Sequence, residues 1–401
     1  MKPEKAEAAR APAAPSFLDS WREHRRFRRL PREQRRIVFY SESRQDWHHF
    51  EPIVARLTRE HDCTVCYVSS DPADPGLSTG NPGVLSFLIR KGLLRIVFFQ
   101  LVDADVFVLT MMDLGNFELR RSVHPVHYVY LFHSLGSTHM ADFAASYDHY
   151  DTILCAGPHH VSEIRRREEL MRLPAKRLVE HGYARLEALL AERAERPPLV
   201  REGPPTLLVA PTWGESSLLN VCGARLVEVL LAAGYRVIVR PHYMTTQQSP
   251  EVVAAIRGRF GSHPRFEYED RMGDTASLFR SDLLVCDWSA MAIEWGLGLE
   301  RPALFVDVPP RARNPEWRAL GLEPLEASIR TEIGAVIDPA RLDEAPTLVE
   351  KLLADPVGFR EHAAELRARC VFNPGRSAEV AATEIAQLAS QRASARRGRR
   401  A

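Results

Sequence analysis

The chain has 401 residues, with 53 basic and 52 acidic side chains and a formal charge of +1. Its 45% apolar and 26% charged content is that of a folded globular protein, which excludes wholesale disorder and a small disulfide-stapled scaffold. The length fits two domains, each able to bury its own core.

The even balance hides two basic ends. Residues 21–36 hold eight arginines against two glutamates, and residues 391–401 hold five arginines and no acid. For the tail, a solvated charge run is the preferred reading. For residues 1–36, Phe17, Leu18, Trp21, Phe27 and Leu30 interleave with the arginines. There a solvated run and a segment seated on an anionic membrane surface stand level. The first residues lack the apolar region of a secretory signal. The most apolar stretch, residues 84–110, is broken by Arg90, Lys91, Arg95, Asp103 and Asp105, so no membrane span is expected. Six scattered cysteines, with Cys63 and Cys66 on opposite faces of a strand-like run, read as reduced core thiols in a cytoplasmic protein.

Strands and helices then alternate. Residues 37–40, 64–68, 105–110, 126–133 and 152–156 read as strands, with helices at 46–59 and 161–170 between them. A second set follows, with strands at 207–210, 236–239, 283–286 and 303–306 and helices at 217–233, 250–260 and 290–299. Apolar strands separated by helices predict parallel sheets covered on both faces. Residues 192–205, charged and rich in proline, separate the two sets as a linker. The expected organisation is a basic segment at 1–36, a Rossmann-like domain at 37–195, a second Rossmann-like domain at 206–390 and a basic tail at 391–401. Helices from residue 345 onward close the chain.

Ligands of open parallel sheets bind at the carboxyl ends of strands, so the residues after each strand carry the functional expectations. In the second half these are Thr212 and Ser216 within Pro211-Thr212-Trp213-Gly214-Glu215-Ser216-Ser217, then Arg240-Pro241-His242, and Asp287-Trp288-Ser289-Ala290. Serines at helix starts beside Arg240 and His242 suit a phosphate or diphosphate. In the first half, the strand at 126–133 delivers His133 to the interdomain edge, ahead of Ser134-Leu135-Gly136-Ser137. An imidazole there suits a hydroxyl proton acceptor. His48 and His49, at a helix start, and His159 and His160 rank lower. Dinucleotide, P-loop and hydrolase-elbow patterns are absent, and no carboxylate or cysteine at recognisable spacing predicts a metal site. No RNA-binding or zinc motif accompanies the basic ends, so nucleic acid is not an expected partner.

The ordered set of His133-Ser134-Leu135-Gly136, Gly182-Tyr183 with Arg185-Leu186, Ala210-Pro211-Thr212-Trp213, Arg240-Pro241-His242 and Ser281-Asp282 leading to Asp287-Trp288-Ser289 resembles the CDP-glycerol glycerophosphotransferase family. These are the polyol-phosphate transferases of teichoic-acid and capsule assembly. The resemblance spans about residues 37–310. It implies a GT-B-like fold, an α/β architecture of two Rossmann-like domains facing across a cleft. It also implies a CDP-polyol donor, a cell-surface polymer or lipid-linked acceptor, no tightly bound cofactor, and work at the inner face of the membrane. His133 and His242 become the catalytic candidates, with His133 the general base. Arg240, Ser289, Asp287, Thr212 and Ser216 become donor ligands. Asp287 either orients His242 or a ribose hydroxyl, or caps the helix after it. Glu294 reads as a helix-surface carboxylate in preference to a ribose ligand. Two departures stand out: Ala290 replaces a second serine, and Ser-Leu-Gly follows His133 where Gly-Thr is usual. The alternative expectation is a GT-B glycosyltransferase using a nucleotide-sugar.

Overall fold

A computed structural model describes residues 15–196, 203–270 and 275–398. The first unit is a parallel sheet of seven strands: β1 (Ile37–Ser41), β2 (Val65–Ser69), β3 (Val84–Leu88), β4 (Val106–Leu109), β5 (His127–Leu131), β6 (Thr152–Cys155) and β7 (Arg177–Glu180). The second has six: β8 (Thr206–Val209), β9 (Arg236–Val239), β10 (Phe266–Tyr268), β11 (Leu283–Cys286), β12 (Ala303–Val306) and β13 (Gly334–Ile337). The orders are β3-β2-β1-β4-β5-β6-β7 and β10-β9-β8-β11-β12-β13. Strand order therefore reverses between β1 and β4 in one sheet and between β8 and β11 in the other. These switch points are where an open parallel sheet leaves a crevice at its carboxyl edge.

Burial explains the registers. Strands β1, β2, β4 and β6 are buried along their whole length, as β-branched and aromatic runs covered on both faces must be. One continuous apolar cluster runs from Phe27, Phe98 and Tyr130 in the first unit through Leu186 and Leu189 to Trp295, Leu297 and Phe305 in the second. It joins the two units along the helix Ala184–Glu195.

Two boundaries differ from expectation. The helix Ser377–Gly398 runs unbroken through the expected division at residue 390. It packs on the first sheet, with Ala381, Ala382 and Ile385 fully buried among Phe39, Phe50 and Leu154. Its small residues let it lie close against the helix Trp47–Arg59, so the chain ends on the unit where it began. At the other end, the helix Phe17–Arg29 is built into the first unit. Phe27 is 1% exposed and meets Phe87 and Phe98 edge-on, while the Ser20 hydroxyl accepts the Arg90 N–H. Much of the basic charge is also spent internally. Arg32 and Arg36 pair with the buried Asp105, and Arg35 and Arg396 pair with Asp103. Of the expected linker, residues 192–195 finish the helix Ala184–Glu195, and residues 197–202 lie outside the described residues, as do 1–14 and 399–401.

All six cysteines are free, and burial holds the Cys66 thiol up at about 12. Among the described residues no helix is long and apolar enough to cross a membrane.

Candidate active site

Each switch point is organised by a carboxylate that ties together the loops on either side. In the first sheet this is Asp46, after β1. Its Oδ2 accepts the N–H groups of Glu42 and Ser43, and its Oδ1 accepts the hydroxyl of Thr110, which follows β4. In the second sheet it is Asp287, after β11, with no exposed surface. It accepts the Thr212 N–H at 2.8 Å, the Thr212 hydroxyl at 2.9 Å and the Leu218 N–H at 3.0 Å. Leu218 opens the helix Leu218–Ala232, so Asp287 caps that helix and pins the loop after β8.

That arrangement corrects two expectations. Among the described residues the Asp287 carboxylate bonds to neither His242 nor the helix after β11; its hydrogen bonds go to Thr212 in the loop after β8 and to Leu218 at the start of the next helix. Thr212 gives its one hydroxyl proton to Asp287 and has none left for a phosphate oxygen. Both residues shape the site from beneath.

His133 stands just past β5, beside the first switch point and half-buried. Its Nδ1 lies 3.3 Å from the Tyr130 hydroxyl. Burial pushes its pKa below the ordinary 6.5, against the opposing pull of Asp46, Glu294 and the Thr110 carbonyl. Around it stand the residues ranked low in the sequence. The His49 ring is 6.3 Å from the His133 ring and 3.9 Å from that of His48. Burial keeps His49 well below the usual histidine range, with His48, His133 and Arg185 adding to the effect.

Glu294 has a different place from the helix surface expected of it. It comes from the second unit and binds the first: Tyr183 donates to its Oε1 at 2.7 Å and Arg185 Nε to its Oε2 at 2.7 Å. The Tyr183 hydroxyl also lies 3.0 Å from the His133 carbonyl. An inter-unit ion pair therefore touches the segment that carries His133. Gly182, at φ +111°, makes this turn possible; a Cβ there would stand 2.5 Å from the Phe372 carbonyl oxygen. Gly136 is needed for a second close approach, since a Cβ on it would lie 2.7 Å from Glu326 Oε1 and 3.4 Å from the Ala290 Cβ. Ala290, the departure noted in the sequence, thus faces the loop behind His133. Glu326 completes the contact by accepting the Ser137 N–H with both oxygens, at 2.9 and 3.0 Å.

Across the cleft, His242 accepts the Met244 N–H at Nδ1, 3.2 Å away. A backbone N–H only donates, so the neutral ring carries its proton on Nε2. Burial, with the nearby Arg311 adding to it, lowers its pKa and favours that neutral form. Its ring stacks on Trp213 at 6.0 Å and 25°. Arg240 reaches Ser277 through Nη1 at 3.2 Å. Ser289 accepts the Met291 N–H and keeps its own proton to donate. Ser216 sits in the loop held by Asp287. Beside Pro241 a hollow of about 290 Å³ is walled by Tyr243, Tyr268, Arg257 and Asp270. Thus His242 and Trp213 are in contact and Thr212 and Asp287 are bonded. No hydrogen bond or ring contact among the described residues joins His133 to the second-sheet candidates, which belong to the other unit. No group of three or more histidine, cysteine, aspartate or glutamate side chains among the described residues is arranged to hold a metal ion.

Residues 127–308 match the model of the CDP-glycerol:poly(glycerophosphate) glycerophosphotransferase family. The resemblance holds over that segment. It runs from the start of β5 to just past β12, so it takes in His133 and every second-sheet candidate. Similar solved structures include a glycosyltransferase from Rickettsia africae, at 9% identity and TM-score 0.57, covering 89% of this chain and 98% of that one. Staphylococcus aureus MnaA bound to UDP is similar at 13% identity and TM-score 0.54, covering 86% and 94%. The UDP-GlcNAc 2-epimerase of Methanocaldococcus jannaschii is similar at 11% identity and TM-score 0.53, covering 82% and 98%. At these identities they show the shared two-unit α/β fold of the GT-B class. No curated protein matches the chain. With the family match, the fold supports a transferase.

Proposed function

We propose that the protein moves a polyol phosphate, glycerol phosphate foremost, from a CDP-polyol to a hydroxyl of a cell-surface glycopolymer or lipid-linked acceptor, releasing CMP. The observation that carries this reading is the placement of His133. It stands at the carboxyl end of β5, within electrostatic reach of Asp46 and of Glu294 from the second unit, and the strand ends of that second unit carry His242, Arg240 and Ser289. The acceptor oxygen forms a bond to the distal phosphorus of the diphosphate, and the bond from that phosphorus to the CMP oxygen breaks. His133 takes the hydroxyl proton. The His242 Nε2–H, Arg240 and Ser289 stabilise charge on the transferring and departing phosphates, which is most of what phosphoryl transfer asks of a protein. The hollow beside Pro241 is at the small end of ligand sites, about 300–1,000 Å³, and suits a nucleoside better than a polymer.

The test is a panel of CDP-glycerol, CDP-ribitol and UDP-sugars incubated with the purified protein. Release of CMP from a CDP-polyol supports the proposal. Release of a nucleoside diphosphate from a UDP-sugar replaces it with glycosyl transfer.

Because burial holds His133 below 6.5, its neutral, proton-accepting form is the main one at neutral pH. Activity should fall only when acid brings the pH through that lowered value. Asp46→Asn removes an anion that favours the charged ring and should move the acid limb of kcat/KM further down. An acid limb at or above pH 6.5, or one moved upward by Asp46→Asn, would contradict the assignment.

The proposal includes peripheral attachment at the inner membrane face. Phe17, Leu18 and Trp21 stay 48%, 64% and 41% exposed on a helix studded with arginine. Since Phe27 of that helix is core, the suitable variant is a triple serine substitution of the exposed three rather than a deletion. It should lose co-sedimentation with phosphatidylserine vesicles at low salt while melting normally, whereas undiminished pelleting would refute the attachment.

A further inference from the structure

The segment after β12 is strapped across both units, and at its middle it carries a cation with no counter-ion among the described residues. Trp288 Nε1 donates to the Val308 carbonyl at 2.7 Å, fixing the strap where it leaves the second sheet. The Pro309-Pro310 pair then limits its freedom. On the far side the Arg313 N–H donates to the Met140 carbonyl, and Asn314 Nδ2 to the His139 carbonyl, both at 3.0 Å in the first unit. Arg311 is held between these anchors.

Its guanidinium carbon lies over the Trp213 indole, 3.7 Å from the ring centroid, and Trp213 in turn stacks on His242. A cation–π contact of this kind does not itself consume the N–H donors of the fork. Arg311 is half-buried, and among the described residues no carboxylate lies in ion-pair distance of it. Asp287, close enough to be felt electrostatically, is committed to Thr212 and Leu218. Four residues after Trp213, Ser217 is 3% exposed, and its hydroxyl has no hydrogen-bond partner among the described residues. A partly dehydrated, unpaired arginine is costly unless an anion completes it. The strap that carries it is anchored too firmly for the side chain to be an accident of a loose surface.

We propose that Arg311 is a ligand of the donor diphosphate, closing over it from the strap while His242 donates from the same stack. Arg311 lies beyond the segment matched by the family model, which ends at residue 308. The inference rests on the second unit holding a nucleotide-activated donor, but not on that nucleotide being cytidine.

The experiment is calorimetric titration of inorganic pyrophosphate, CDP, UDP and CMP into the wild type, Arg311→Ala and Arg311→Lys, with donor kinetics on the same proteins. Arg311→Ala should weaken pyrophosphate and the favoured nucleoside diphosphate by about tenfold or more, the loss of a charge-assisted pair. It should raise donor KM more than it lowers kcat and shrink the preference for diphosphate over CMP. Arg311→Lys, keeping the charge without the fork, should recover part of the loss. Should Arg311→Ala fold poorly, Arg311→Lys and the salt dependence of pyrophosphate binding decide. Diphosphate affinities within about twofold across all three proteins would overturn the proposal, as would a wild type that binds neither pyrophosphate nor a nucleoside diphosphate. A protein that releases UDP rather than CMP, yet loses pyrophosphate binding on Arg311→Ala, would refute the CDP-polyol reading and keep this one.

Discussion

His133→Ala should lower turnover by about 10²–10⁴-fold, the range a general base supplies, while donor binding holds. The separation of the two effects follows from the geometry. His133 follows a strand of the first sheet, whereas His242, Arg240 and Ser289, which hold the donor, follow strands of the second. Its ring is braced by Tyr130 on one side and crowded by His49 on the other. Truncation therefore removes the proton acceptor without opening the second unit. Steady-state kinetics with the donor and acceptor identified by the nucleotide panel, together with CMP titration, would measure it. A folded His133→Ala protein within a few-fold of the wild-type rate would remove the imidazole from the mechanism.

Asp287→Ala should destabilise the second unit and disable donor binding together. The carboxylate is completely buried and accepts three hydrogen bonds, two of them from the backbone N–H groups of Thr212 and Leu218. Removing the acceptor strands those donors, at a cost of about 3–5 kcal/mol for a broken buried charged network. For a unit of this size that corresponds to a fall in Tm of about 6–20 °C. Asp287→Asn should lie between, since its amide oxygen can satisfy only part of the set. Thermal unfolding followed by CMP titration is the check. An alanine variant that melts within about 2 °C of the wild type and binds CMP normally would show that the loop after β8 does not depend on Asp287.

The contrast between the two residues shows what the sequence could and could not reveal. His133 was legible because a continuous apolar strand delivers it, and a strand end in a parallel sheet is where chemistry collects. Asp287 was legible as a site residue but not in its task, because its partners lie 69 and 75 positions away, set by which strands neighbour β11. The same limit applies to the sheets. The interior strands were readable from apolar runs, whereas β3, β7, β10 and β13, the four sheet edges, were not. Most of their residues are half-buried or exposed, with only Phe87 and Ile337 buried, so the continuous hydrophobic signal that marks a doubly covered strand is missing. Without β7 and β13 the ends of both units were blurred, and the return of the helix Ser377–Gly398 to the first sheet stayed hidden.

Glu294, His48 and His49 were undervalued for a related reason. Each looks ordinary on its own helix. Glu294 gains its meaning from Tyr183 and Arg185 in the other unit, and His49 from lying beside the strand order reversal at β1 and β4. The signal available was position: the helix after the first strand of such a sheet starts at the switch point. Arg311 lay beyond every motif, and only the strap between Val308 and Asn314 gives it a place.

The central claim is that the two units grip a diphosphate on the second sheet while an imidazole from the first prepares the incoming alcohol. A crystal structure of the protein with CDP-glycerol bound tests it most directly. The diphosphate should lie at the strand ends, contacted by His242, Arg240 and Ser289, with His133 facing the distal phosphorus across the cleft. A nucleotide seated away from these strand ends, or a phosphorus turned away from His133, would contradict it.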